Sequence, residues 1–174
     1  MERRLVIKQV LIMAGGLALL PSCLREQGKS TILLKNMDIS LDQENLMADI
    51  AETIIPRTNT PGAKQLKLHL FALKMVDDCY EKADQELFVK GLTAFQDQAQ
   101  DLFSKSFGKL SLHQRESMLA KLENSTSPEQ SGFYKIMKEK TIDGFLNSKY
   151  VMTNLIIYEL VPGRYNGYFP VKTA

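Results

Sequence analysis

A chain of 174 residues and 19.7 kDa, 44% hydrophobic and 24% charged, has the size and composition of one globular domain, or of one domain with a short appendage. Its 22 Lys and Arg stand against 20 Asp and Glu, a net charge of +2 that is too evenly balanced for a nucleic-acid binder, which gathers basic residues on one face. With two cysteines, two histidines and no Cys-x-x-Cys-His, Gly-x-Gly-x-x-Gly, Gly-x-Ser-x-Gly or His-Glu-x-x-His, a covalent c-type haem is excluded and an enzyme working alone is disfavoured.

The chain opens with the signs of an export signal. Arg3 and Arg4 precede Val6-Ile7-Lys8, and an uncharged, mainly apolar run from Val10 to Leu20 closes at Pro21-Ser22-Cys23. Such a run is too short to span a bilayer as a helix but suits a signal-peptide core. The order Arg-Arg-x-Val-Ile-Lys resembles the twin-arginine address read on proteins exported folded, although Glu2 stands where Ser or Thr is usual. A plain Sec signal with two basic residues is the alternative. Leu20-Pro21-Ser22-Cys23 resembles a bacterial lipobox, in which Cys23 would carry the lipid and begin the mature chain, with an acyl anchor holding it at a membrane. Removing residues 1–22 takes away Glu2, Arg3, Arg4 and Lys8 and leaves 19 basic and 19 acidic residues, so the basic excess belongs to the leader. With Cys23 acylated, Cys79 is the one remaining thiol, either buried, the commoner outcome, or paired with another chain.

Residues 24–38 read as a polar spacer with one apolar patch, Ile32-Leu33-Leu34, which either tethers the domain or adds an edge strand or a docking contact. From Ser40 the chain is all-α in pattern. Ser40-Leu41-Asp42-Gln43 is a capping box, and Met47, Ile50, Ala51 and Ile54 share one helical face up to Pro56. Residues 56–63 form a loop, after which Thr60 and Pro61 are expected to start a helix as N-cap and first-turn proline, followed by Leu66, Leu70, Leu73, Val76 or Asp77, and Tyr80. The stripe Leu87, Phe88, Gly91, Leu92, Phe95, Ala99, Leu102, Phe103 is the cleanest in the chain and ends at Phe107-Gly108. Ser111 and Gln114 form a second capping box before Met118, Leu119 and Leu122. Ser127-Pro128 opens a helix carrying Phe133, Ile136, Met137, Thr141 and Phe145. Tyr150 to Leu160 is a further short helix candidate. Two prolines and two glycines between Val161 and Pro170 then force an extended tail, in which three aromatics and Arg164 either dock on a partner or fold back over the helices. The expected architecture is a compact all-α bundle of five or six helices with an extended C-terminal tail: a signal segment over 1–22, a tether over 23–39 and a helical domain over 40–174.

No catalytic constellation stands out. Asp77, Asp78, Glu81, Asp84 and Glu86 lack the glycine-containing loop of a calcium site and read as a solvated face. His69 and His113 have no carboxylate or cysteine pattern to make either a base or a metal ligand.

Three segments together resemble the gluconate 2-dehydrogenase subunit 3 family. Ile54-Ile55-Pro56-Arg57-Thr58-Asn59-Thr60-Pro61-Gly62-Ala63 is similar to that family's "IIP-x-T-D-T-P-G-A", with Asn59 in place of Asp. Asp84-Gln85-Glu86-Leu87-Phe88 with Gly91-Leu92 is similar to its second helix-loop-helix passage. Tyr158 to Gly167 is similar to its closing "Y-x-x-V-P-G-R-Y-x-G". A twin-arginine leader is typical of the family, so the resemblance runs from the leader through Gly167. It implies a small, helical, non-catalytic subunit of a periplasmic sugar or polyol dehydrogenase. By the same resemblance the partner is a flavoprotein of the glucose-methanol-choline (GMC) oxidoreductase family that carries FAD and lacks its own export signal, and electrons pass on to a separate c-type cytochrome with haem c. The small subunit would export the flavoprotein as a hitch-hiker through Arg3 and Arg4, stabilise it, and sit at the periplasmic side of the envelope through lipidated Cys23. Pro56, Thr58, Thr60, Pro61 and Gly62, with Pro162, Gly163, Arg164, Tyr165 and Gly167, are the expected partner contacts, Arg164 being the polar anchor. The alternative, from another class, is a free-standing envelope lipoprotein acting as a scaffold or ligand-binding module.

Overall fold

A computed structural model describes residues 28–156 together with Gly163, Gly167 and Tyr168. Among these residues the chain is helical: α1 (Leu41–Ile54), α2 (Leu68–Cys79), α3 (Lys82–Phe103), a 3₁₀ turn (Phe107–Lys109), α4 (Leu112–Glu123), α5 (Pro128–Leu146) and the six-residue α6 (Lys149–Asn154). The expected all-α bundle is the fold observed, and none of the described residues forms a strand beyond an isolated antiparallel bridge between Lys29 and Ser40.

Local chemistry places most helix starts. At α1 the Gln43 N–H donates to Ser40 Oγ at 3.2 Å while Ser40 N–H donates to Gln43 Oε1 at 3.0 Å. Ser111 and Gln114 repeat the arrangement at α4, with distances of 3.3 and 3.0 Å. Each box supplies early helical amides with the acceptors that the helix itself cannot provide. Ser127 caps α5 with Pro128 in the first turn, where its missing N–H costs nothing. Ser148 caps α6 through the Val151 N–H.

Helix α5 is the axis of the bundle and packs against α1, α2, α3, α4 and α6. Its tightest neighbour is α3, because Gly91 leaves no side chain between them. A Cβ there would lie 2.3 Å from the Glu129 carbonyl oxygen and 2.4 Å from Phe133 Cβ. Around this crossing four phenylalanines form the aromatic heart of the core: Phe88 and Phe133 with ring centroids 5.0 Å apart, Phe95 and Phe107 at 5.1 Å, and Phe95 and Phe133 at 6.4 Å. The inclined and edge-on contacts suit the ring quadrupoles. All four rings are essentially inaccessible.

Two parts of the fold differ from the sequence reading. Residues 28–39 are no free tether: they form an arm lying on the helices, with Ile39 1% and Met37 9% exposed and Ile32 and Leu34 packed on the core, so the docking contact offered as the alternative is the one found. Two buried acids hold it. Glu44 accepts the Thr31 N–H at 2.6 Å and the Thr31 hydroxyl at 2.7 Å. Asp77 accepts the N–H groups of Lys35, Asn36 and Met37 at 2.8, 2.7 and 3.1 Å, and Asn36 Nδ2 donates to the Asp77 carbonyl at 2.7 Å. Asp77 is therefore no member of a solvated acidic face, although Asp78, Glu81, Asp84 and Glu86 are exposed. Burial works to raise the Asp77 pKa, but the three backbone N–H donors and the nearby Lys74 ammonium outweigh it and hold the carboxyl below its ordinary value.

The second difference is the start of α2. Thr60 does not cap it; residues 63–67 make turns, Lys67 takes a left-handed conformation (φ 55°) and the helix begins at Leu68. The physical reason lies in α1, whose Glu52 claims the Lys64 N–H, while the Ala63 N–H turns back to the Ile55 carbonyl at 3.0 Å. At its other end α2 is capped from α3: buried Gln85 donates through Nε2 to the carbonyls of Val76, Asp77 and Tyr80 at 3.0–3.1 Å. Cys79, the last residue of α2, is exposed and unpaired, so its expected burial is not found.

Candidate partner interface

The segment from Ile54 to Ala63 leaves the C-terminal turn of α1 and is closed at its base by four interactions. Ala63 N–H donates to Ile55 O at 3.0 Å, joining the two ends. The Glu52 carboxylate accepts the Arg57 N–H at 3.1 Å on one oxygen and the Lys64 N–H at 2.8 Å on the other. The Lys64 ammonium pairs with Asp49 one helical turn before Glu52. Gly62 makes this possible, since a Cβ on it would lie 2.4 Å from Glu52 Oε1 and 2.7 Å from the Arg57 nitrogen. Within the loop the Thr58 N–H donates to the Thr60 carbonyl at 3.1 Å.

The expected contact residues in this segment therefore divide by depth. Pro56, Arg57, Thr58 and Asn59 are exposed, Thr60 and Pro61 half-buried, and Gly62 and Ala63 buried, Ala63 fully. Pro56 and Thr58 lie where a partner could touch them, whereas Gly62 acts from below as the seat for Glu52. Asn59 is exposed and takes no part in the bonds that close the loop. Of the second expected segment, Gly163 and Gly167 are exposed, while Pro162, Arg164 and Tyr165 lie outside the described residues. Arg3, Arg4 and Cys23 of the leader also lie outside them.

Sequence reasoning passed over Glu52, which fastens the loop, and Glu44, which holds the arm, and misread Asp77 as solvent-facing. Glu52, buried Glu44 and buried Asp77 are acids placed beside apolar positions, a pattern that marks carboxylates recruited to receive backbone N–H groups. Arg115 is another. It lies between exposed Leu112 and buried Leu119 on one face of α4, at spacings of three and four, and reaches α1 through a 3.5 Å contact from Nη1 to Thr53 Oγ1. Its Nε is sealed from solvent without a partner.

The remaining surface offers little chemistry. His69 is half-buried, its Nδ1 unpaired, and burial holds its imidazole below the ordinary histidine value. A groove between α1, α3 and the 3₁₀ turn carries Asp42, Asp49 and Asp97 with Asn45, Gln96 and Gln100 on its rim. Asp49 is already paired with Lys64. Among the described residues no group of three or more His, Cys, Asp or Glu converges as metal ligands would, and no helix is long and apolar enough to cross a membrane.

Compared with known proteins, residues 41–163 match the family model described as Gluconate 2-dehydrogenase subunit 3. The match begins at the first residue of α1 and takes in the whole helical bundle and Gly163. No curated protein and no solved structure matches the chain.

Proposed function

The chain belongs to the gluconate 2-dehydrogenase subunit 3 family, an accessory subunit of a dehydrogenase complex, and from that premise we propose that it exports and stabilises a flavoprotein large subunit. The match across the bundle carries this reading. The closed loop over residues 54–63 supports it, because it presents Pro56 to Asn59 as a fixed, exposed surface. The partner is a GMC-type oxidoreductase that binds FAD and oxidises a sugar, gluconate or glycoside; a separate c-type cytochrome with haem c takes the electrons. This chain supplies no group to that chemistry.

In this reading Arg3 and Arg4 address the assembled pair to the twin-arginine route, and acylated Cys23 then holds it on the periplasmic side of the envelope. The test is co-expression of the full chain with a candidate flavoprotein large subunit that lacks its own export signal, comparing wild type with a chain carrying Arg3→Lys and Arg4→Lys. The expected result is an active, exported flavoprotein with the wild-type chain and retention inside the cell with the double variant. Export and full activity with the double variant would remove the hitch-hiker role. A chain that stays monomeric after mild solubilisation and brings down no flavin absorbance would point instead to a free-standing envelope lipoprotein.

A further inference from the structure

Arg115 is the one arginine among the described residues that is built into the body of the fold and left without an acid. Its stem lies on the apolar face of α4, at helical spacing from buried Leu119 and Leu122. Its guanidinium reaches the last turn of α1, where the only bond it makes is the long one to Thr53 Oγ1 at 3.5 Å. Among the described residues no carboxylate lies within ion-pair distance of it. The Nε proton is buried and unpaired, whereas Nη2, with no bond among the described residues, keeps some contact with solvent. A half-buried cation in this state has lost part of its hydration without gaining the charged partner that normally offsets the loss. The negative end of the α1 dipole relieves this only in part.

Position gives the incomplete group a meaning. Thr53 lies three residues before Pro56, so the outer edge of the guanidinium stands beside the root of the exposed loop. One turn earlier on the same face of α4, Leu112 is 51% exposed. An arginine with a fixed stem, flanked by an exposed leucine and a rigid loop, has the make-up of an interface anchor: apolar surface to exclude water around a directed, planar fork.

We infer that Arg115 is a receptor for a carboxylate of the partner protein, the Asp or Glu side chain meeting the Nη1–Nη2 edge while Leu112 and the Pro56–Asn59 tip pack around it. This deepens the reading of the chain as a partner-binding subunit and rests on it. Charge sets the choice of occupant: a planar cation without an internal acid selects a carboxylate, which it can grip with two parallel bonds.

The experiment compares wild type, Arg115→Gln and Arg115→Lys in the full chain, each purified and titrated against the flavoprotein subunit at low and high salt. Circular dichroism and thermal melts of each chain alone are recorded in parallel. The expected result is binding weakened by about thirtyfold for Arg115→Gln, with a reduced dependence on salt, and a smaller loss for Arg115→Lys, which keeps the charge and the salt dependence but not the fork, with unchanged helicity and melting temperature in both. Wild-type binding by both variants would overturn the receptor role and leave the proposed function standing. A melting temperature lowered in step with the binding loss would make Arg115 a structural residue and also overturn it. If the wild-type chain self-associates and Arg115→Gln abolishes that, the surface joins two copies of this chain and the inference fails. Failure of the wild-type chain itself to bind the flavoprotein would instead sink the proposed function.

Discussion

Glu52 carries a large part of the loop's architecture on two oxygens, each taking one backbone N–H from opposite ends of the segment it organises. Charge-assisted bonds of this kind are about twice as strong as neutral ones, and they depend on Gly62 leaving room for the carboxylate. Gly62→Ala would put a methyl group 2.4 Å from Glu52 Oε1 and 2.7 Å from backbone. The side chain can swing away, but only by releasing both amides. We expect the variant to lose about 1–3 kcal/mol, read as a lower urea midpoint with an unchanged slope, and amide exchange to rise first at Arg57 and Lys64. Equal exchange at those two amides in both proteins would show that the glycine serves another purpose. The sequence held Gly62 plainly as part of the Pro-Gly motif, but not its reason, because the atom it accommodates belongs to a residue ten positions earlier.

At the scale of elements, what was legible was local. The capping boxes at Ser40 and Ser111 and the Ser127-Pro128 start involve partners within three residues, and all three form as their spacing predicts. The α3 stripe was clear because one face of that helix meets the core. Helix α5 was harder to read as an amphipathic stripe, since it has neighbours on several sides and its apolar residues spread accordingly. The sequence left the arm open between a tether and a docking contact, because the acceptors that decide it lie 13 residues away at Glu44 and about 40 away at Asp77. The same distance hid Asp77 inside a run of acids that are otherwise exposed. Its pKa is depressed in the folded chain, so the stability it contributes is fully present above the ordinary aspartate range and is lost as pH falls through the folded value. Asp77→Asn is expected to cost about 1–3 kcal/mol at neutral pH and to open residues 31–37 to proteolysis. The gap between the two proteins should narrow as pH drops below about 4. A gap that stays constant down to pH 2 would contradict the assignment of the arm to the ionised carboxylate.

For the whole molecule, the arm counts as core. Met37 and Ile39 belong to the same buried cluster as Phe88, Phe95 and Phe133, although they precede α1. A chain beginning at Ser40 would keep helices α1 to α6 and lose that lid. Compared with a chain beginning at Gly28, it should be less stable by about 3 kcal/mol or more, from the burial of two large side chains alone, measured by denaturant unfolding. Equal midpoints would show that the arm rests on the body without supporting it. The all-α class was legible because helical periodicity and punctuation recur from Ser40 onward; the 54–63 loop was legible only as motif. Nothing in the pattern of residues 54–63 showed which of them face outward and which fasten the loop, and Arg115 carried no motif at all.

The four interactions at the base of the 54–63 loop have a thermodynamic consequence for association. Ordering a free backbone costs about 1–2 kcal/mol per residue, and a floppy recognition segment meets that cost at the moment of contact, which weakens the complex it forms. Here Pro56 to Asn59 are immobilised by bonds made within the chain as α1 and the following turn fold. On the proposed reading of this loop as a partner contact, the partner would meet a preformed shape, and the entropy of recognition would be spent before the encounter.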